Sequence, residues 1–393
     1  MVFCTQGVGV LLKKWYLLLS KRLGILLLFL IITAVFCGCT YAEGKFIELN
    51  FRQQDNNQPV VLNENEIFFP GGTYSNDSKC YNSAKIYNIK EHKLIDTTVS
   101  MNVPRYNYGA IKYDNNNILI VGGLCSDNSK KTNSCSQVAE IYNIKDKKFT
   151  QISNTNLKYA INIHTISLKD GNVFILSGGN FEVFNPLNKK FSIIVNKRQH
   201  ISNLHKYCTI NNFSHSNILQ INPIEILIYG TRPLNTVPNK ELFAMEIFNL
   251  ETRTSTNIPV DYNKLNYINI GSPIKINNKT ILFVGAGKDK KDVVKFDINS
   301  QSFDIYNRLS SPLSDNGFLL TNGKVLFVRG GLFKPDYIKG TSLEHAVYDY
   351  KNNKVYNYKT THKLHYTTHF VNINNNTIYI SGYKNEYPML YKY

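Results

Sequence analysis

The side chains able to do chemistry fall into a few groups. Of nine histidines, His200, His205 and His215 share one turn-rich stretch, and three more are spaced His362-x-x-His365-x-x-x-His369. On a strand His365 and His369 share a face, and two imidazoles can begin a metal site. No carboxylate stands close to them in sequence, so hydrogen-bonded or solvated imidazoles are expected, with no metal and no cofactor. Five cysteines follow residue 38: Cys39, Cys80, Cys125, Cys135 and Cys208. Cys125 and Cys135 bracket a polar stretch, and a disulfide across it is the first expectation for an exported chain. Cys80 and Cys208 either pair or stay as small buried hydrophobes. Neither CxxC, GxSxG, a Walker-type loop nor HExxH occurs, so zinc-ribbon, thioredoxin-type, hydrolase-elbow, nucleotide-loop and zincin chemistry have no support. No catalytic residue is assigned.

Arginine is the other candidate, because a planar guanidinium grips carboxylates and sulfates. Arg105, Arg198, Arg232 and Arg329 qualify. Arg105 and Arg329 lie beside repeat motifs, where the competing reading is a tie between strands.

These groups sit in a basic chain: 45 Lys and Arg against 28 Asp and Glu, a formal charge of +17. Hydrophobic residues make up 43%, which excludes a disordered polyelectrolyte and provides for a real core. Lys13, Lys14, Lys21 and Arg22 precede an unbroken apolar run, Leu23 to Phe36, followed by Cys37-Gly38-Cys39. A positive start, an apolar run and small residues make an export signal. Cys39 is placed as the lipidated residue of a lipoprotein, with an uncleaved anchor or simple cleavage as alternatives. The domains are therefore read as 1–38, signal peptide or membrane anchor, and 39–393. The second keeps a charge of +13, since the first holds four basic residues and no acid. The expected place is the cell envelope, extracytoplasmic and membrane-anchored, among anionic lipids and glycans. Lysines are scattered and no nucleic-acid motif occurs, so nucleic acid is not an expected partner.

Residues 44–393 repeat. An apolar strand ending in a small-residue pair recurs, with the second position of each pair at 72, 123, 179, 230, 286, 331 and 382, a mean spacing of about 52. Downstream comes an aromatic residue followed by Asn or Asp, with an apolar residue seven places after the aromatic. The copies are Tyr87 with Leu94, Tyr142 with Phe149, Phe184 with Phe191, Phe296 with Phe303 and Tyr348 with Val355; Phe248 is followed by Ser255. Glu140, Glu182 and Glu246 stand two places before their aromatic. Each unit reads as four short strands joined by polar turns. Such units bury their faces by stacking radially.

The pattern resembles the kelch family, most fully in Arg105-x-x-Tyr108-x-Ala110, Gly122-Gly123 and Ala139-Glu140-x-Tyr142-Asn143. It departs by lacking the Trp of the fourth strand and by degrading several glycine pairs. The resemblance implies an all-β, seven-bladed kelch-type β-propeller. The chain ends where a third strand belongs, so Phe46–Phe51 is expected to supply the fourth strand of the seventh blade and close the ring.

The functional expectation is a non-enzymatic scaffold that binds a protein or an anionic glycan through variable loops after the glycine pairs. Lys130, Lys131, Arg232 and Lys334 on those loops, with Arg105 and Arg329, are the candidate binding residues. The alternative is an extracytoplasmic carbohydrate-active enzyme using the central channel. The resemblance admits two kinds, sialic-acid isomerase-like or copper oxidase-like, and no residue here matches the Tyr, His and Tyr–Cys set of kelch-type copper oxidases.

Overall fold

The computed structural model describes residues 44–51, 57–74, 77–127, 132–135, 137–157, 163–177, 180–194, 217–233, 241–260, 273–287, 291–309, 317–328, 344–359, 367–382 and 387–393. Among these every regular element is a strand, and no helix is long and apolar enough to cross a membrane. Residues 1–38, with Cys39, lie outside the described residues.

Seven four-stranded antiparallel sheets form a propeller ring. Their innermost strands are Val60–Asn63, Gly109–Lys112, His164–Ser167, Asn217–Asn222, Pro273–Lys275, Gly317–Leu319 and Thr367–Asn374. We number the blades 1 to 7 in that order. Blades pack through aromatic side chains. Phe68 of blade 1 stacks on Tyr142 of blade 2 at 4.3 Å between ring centres, Phe174 meets Phe248 across blades 3 and 4, and Phe243 meets Phe283 across blades 4 and 5. Burying such rings is the main stabilising term of a ring whose blades share no backbone pairing.

The aromatic signature is a cross-strand pair at the outer hairpin of blades 1 to 6. Tyr87 stands opposite Leu94, Tyr142 opposite Phe149, Phe184 opposite Phe191, Phe248 opposite Ser255, Phe296 opposite Phe303 and Tyr348 opposite Val355. All six aromatics are buried. The Asn or Asp that follows each one accepts the backbone N–H three residues on, at 2.8–3.3 Å. Five residues after each aromatic the backbone turns left-handed, at His92, Lys147, Lys189, Arg253, Gln301 and Asn353, with φ between 50° and 56°. One turn, built six times, is why the spacing from aromatic to apolar residue never varies.

The turns between the first and second strands share a second device. Asn63, Asp114, Asp170, Asn222, Asn277, Asn322 and Asn374 each accept the N–H two residues on, at 2.7–3.1 Å. These Asx turns and the outer turns lie on one side of the ring, the short-turn face. The long connections lie on the other, the loop face.

The seventh blade closes as expected. Its order is Thr367–Asn374, Thr377–Gly382, Met389–Lys392 and, outermost, Lys45–Glu48. The Leu49 amide donates to the Pro388 carbonyl at 2.8 Å, and the Phe46 ring lies 4.6 Å from that of Tyr391. The two contacts fix an antiparallel register.

One expectation is corrected. The stretch between Cys125 and Cys135 is not only a loop, because Leu124–Asp127 and Thr132–Cys135 pair as a two-stranded ribbon.

Candidate functional site at the loop face

The connection from blade 1 to blade 2, residues 101–108, is the best-defined part of the loop face. Arg105 is fully buried, with 0% exposure. Its guanidinium forms an ion pair with Glu140 at 2.6 Å and donates to the carbonyls of Gly122 and Val138 at 2.9 and 2.5 Å. Glu140 also accepts the backbone amides of Asn102 and Val103. A buried charge persists only when its lone pairs and protons are met in this way.

The glycines allow the connection to come close. The Gly72 amide donates to the Arg105 carbonyl at 3.0 Å, and Tyr106 and Leu124 exchange backbone hydrogen bonds at 3.0 and 2.7 Å. At Gly123, with φ 103°, a Cβ would meet the Tyr106 carbonyl oxygen at 2.8 Å, so any side chain there forces the strands apart.

The same device recurs in blade 3. Glu182, buried, accepts from the Thr155 hydroxyl, from the Asn156 amide at 2.7 Å and from the Asn156 side chain at 2.5 Å. Glu246 is buried at the matching place in blade 4; the connection from blade 3 to blade 4 lies outside the described residues. These carboxylates anchor connections to blades. Arg105, a candidate for ligand binding, is a structural tie.

Nearer the axis, Asn57 and Gln58 join three blades. The Gln58 side-chain oxygen accepts the Ala110 amide of blade 2 at 2.8 Å, and its backbone N–H donates to the Tyr108 hydroxyl at 3.3 Å. Tyr108, buried, donates in turn to the Pro70 carbonyl. Burial raises its phenol well above the usual range, so it stays a donor. On the other side, His369 of blade 7 is hydrogen-bonded to the Asn57 backbone. Burial holds its imidazole down at about 4, and the Asn57 contact opposes that shift. His369 is thus neutral at pH 7. Two half-buried lysines of inner strands tie neighbouring blades: Lys112 donates to the Leu62 carbonyl and Lys275 to the Ile221 carbonyl, each at 2.5 Å. Desolvation lowers the Lys275 ammonium.

The other sequence candidates fall as follows. Arg232 lies on the strand Glu225–Pro233, and its side chain is outside the described residues. Lys130, Lys131, Arg329 and Lys334 are also outside them, as are Arg198, His362 and His365. Cys125 stands opposite Ser134 and Cys135 opposite Leu124, one place out of direct opposition, and their side chains are not described. Cys80 is buried. Gln58, Lys112 and Lys275 carried no repeat signal and were not singled out by sequence.

No family model matches the chain, and no curated protein matches it. Solved structures do. One is described as a novel fungal alcohol oxidase with catalytic diversity among the AA5 family, in complex with copper. It superposes with a TM-score of 0.60 at 14% identity, over 89% of this chain and 76% of that one. At that identity the likeness is one of fold. Among the described residues no three of His, Cys, Asp or Glu converge.

Proposed function

We propose that the chain is an exported, membrane-anchored, kelch-type propeller that binds a protein or an anionic glycan with its loop face. The observation that carries this reading is the internal use of the repeat's charges. Arg105, Glu140 and Glu182 are buried and bonded to the frame, which leaves recognition to the loops that differ between blades. A rigid frame with variable loops is the usual way a propeller is adapted to a ligand. Lys130, Lys131, Arg232 and Lys334 are the residues we assign to the contact. Reversing all four to glutamate should weaken retention on a sulfated or sialylated glycan array, or capture in a crosslinking pull-down, about tenfold or more. Unchanged retention and capture would sink the reading.

A carbohydrate-active enzyme working near the axis is the second reading. His369, neutral and on the innermost strand, is the observation that favours it. Turnover of a sialic acid or a primary alcohol that disappears in His369→Ala, with folding intact, would establish it over the scaffold.

A further inference from the structure

The positive charge of the ring is not evenly spread. The outer turns of blades 1 to 3 (residues 88–93, 143–148 and 185–190) hold seven lysines against Glu91 and Asp146, a net +5. Those of blades 4 to 6 (249–254, 297–302 and 349–354) hold Arg253, Lys351 and Lys354 against Glu251, Asp297 and Asp349, a net of zero. In the basic arc Lys145, Lys147, Lys148, Lys189 and Lys190 are all exposed. Blades 2 and 3 are joined there, since the Ser153 hydroxyl donates to the Lys189 carbonyl at 2.7 Å. At the tip of the blade 3 turn stands Leu187, 95% exposed. An apolar side chain held out among lysines by a capped turn is a membrane-interface pattern. On the inner turns of the same three blades, Asp114 and Asp170 accept turn amides and Glu66 accepts the Asn63 side chain, with Glu64 exposed beside them, so acids stand on the inner turns and the net basic charge lies on the outer ones.

The path of the chain points to the same side. In the register fixed by Leu49 with Pro388 and Phe46 with Tyr391, the outermost strand of blade 7 starts at the short-turn end and runs toward the loop face. The chain that precedes the strand, 44 residues with the apolar run Leu23 to Phe36 in its sequence, therefore enters it at the short-turn end. Blade 1, where Lys90 and Lys93 begin the basic arc, is the next blade round the ring.

We propose that the outer turns of blades 1 to 3 lie against an anionic phospholipid bilayer, with Leu187 entering its headgroup region. The propeller then leans on one rim of its short-turn face, and the loop face points away from the membrane. This inference goes beyond the ligand reading and does not depend on it. The electrostatic part acts only at short range, about 8 Å at physiological salt, and each lysine near the surface adds about fivefold to the partition.

The test uses the full chain in vesicles of phosphatidylcholine with or without phosphatidylglycerol, both containing brominated lipid as a quencher. Leu187→Trp reports on the short-turn face and Tyr387→Trp on the loop face; the emission of Trp15, the only native tryptophan, is subtracted with the unsubstituted chain. The expected result is quenching severalfold deeper for Leu187→Trp, only with phosphatidylglycerol. Lys145→Glu, Lys148→Glu and Lys190→Glu together should remove it. Equal quenching at the two positions, or quenching indifferent to anionic lipid, would overturn the proposal. So would loss of heparin binding in the triple variant with quenching unaltered, which would assign the arc to a soluble polyanion.

Discussion

Arg105 and Glu140 show how much a buried pair holds at once. Besides bonding each other, the two side chains join the connection from blade 1 to blade 2 through four partner residues, Asn102, Val103, Gly122 and Val138. Glu140→Ala leaves a guanidinium buried without its counter-charge, and the expected loss is about 3–5 kcal/mol in chemical denaturation. Replacing both, as Arg105→Met with Glu140→Leu, should recover part of that loss, because no charge is then left uncompensated. His369 supports a prediction on pH. Its folded value, about 4, is below the ordinary 6.5, so the unfolded chain takes up the proton first. Its contribution is fully present above about pH 6.5 and is lost as pH falls toward 4. The residue as a whole keeps partial solvent exposure, which screens the effect, so we expect about 1–2 kcal/mol. The comparison is stability at neutral and acid pH for the native chain and His369→Gln; an equal pH dependence in both would exclude this role. The sequence showed the recurrence of Glu140 and Glu182 but not their task, because their partners are 26 to 38 residues away. Gln58 was invisible because its bonds occur once, where the chain enters the ring.

At the scale of elements, the hairpins were legible because one residue does one job in every copy. An Asn or Asp caps the turn, a left-handed residue follows, and an aromatic faces the seventh residue on. That geometry limits what position 147 accepts. Lys147→Val places a β-branched side chain at φ 50°, and we expect a loss of about 1–2 kcal/mol. Lys147→Gly should be close to neutral, since relief of strain offsets the added freedom of the unfolded chain. Thermal melts of the two variants separate backbone strain from loss of a lysine. The closing strand is the other test. Leu49 is buried at 1% exposure between blades 7 and 1, so Leu49→Ala should cost about 2–5 kcal/mol. Deletion of 44–51 should cost more and expose Met389–Lys392 as an open edge prone to aggregation; an unchanged melting temperature would contradict the closure. The ribbon Leu124–Asp127 with Thr132–Cys135 was not legible, because its polar residues match the loop composition on either side.

For the whole molecule, blade number followed from arithmetic on the repeat, and ring closure from the missing fourth strand at the C-terminus. The ligand did not follow, for a physical reason. The residues that recur are those that build the frame, and once buried they cannot also touch a partner. What varies is the loops, and variation within one sequence has no internal reference. The charge asymmetry of the outer turns needed the structure too, because in sequence those lysines lie in three separate stretches and look evenly scattered.

The turn caps carry one more consequence, for how the protein ages. Thirteen turns of the frame each depend on a single side-chain oxygen, nine from asparagine and four from aspartate. An amide and a carboxylate offer that oxygen equally well. Direct hydrolysis of an asparagine side chain to aspartate, a slow chemical loss in any long-lived protein, keeps that oxygen, but at Asn63, Asn143 and Asn222 it also removes a side-chain N–H that donates to Glu66, Asn117 and Glu225. Asn322 is the exception, because it precedes a glycine: loss of ammonia there runs through a cyclic imide that opens mainly to isoaspartate, whose extra backbone carbon displaces the oxygen that accepts the Lys324 amide. Only where plain aspartate forms at a cap whose N–H is unused can the frame gain negative charge while the turn keeps its shape.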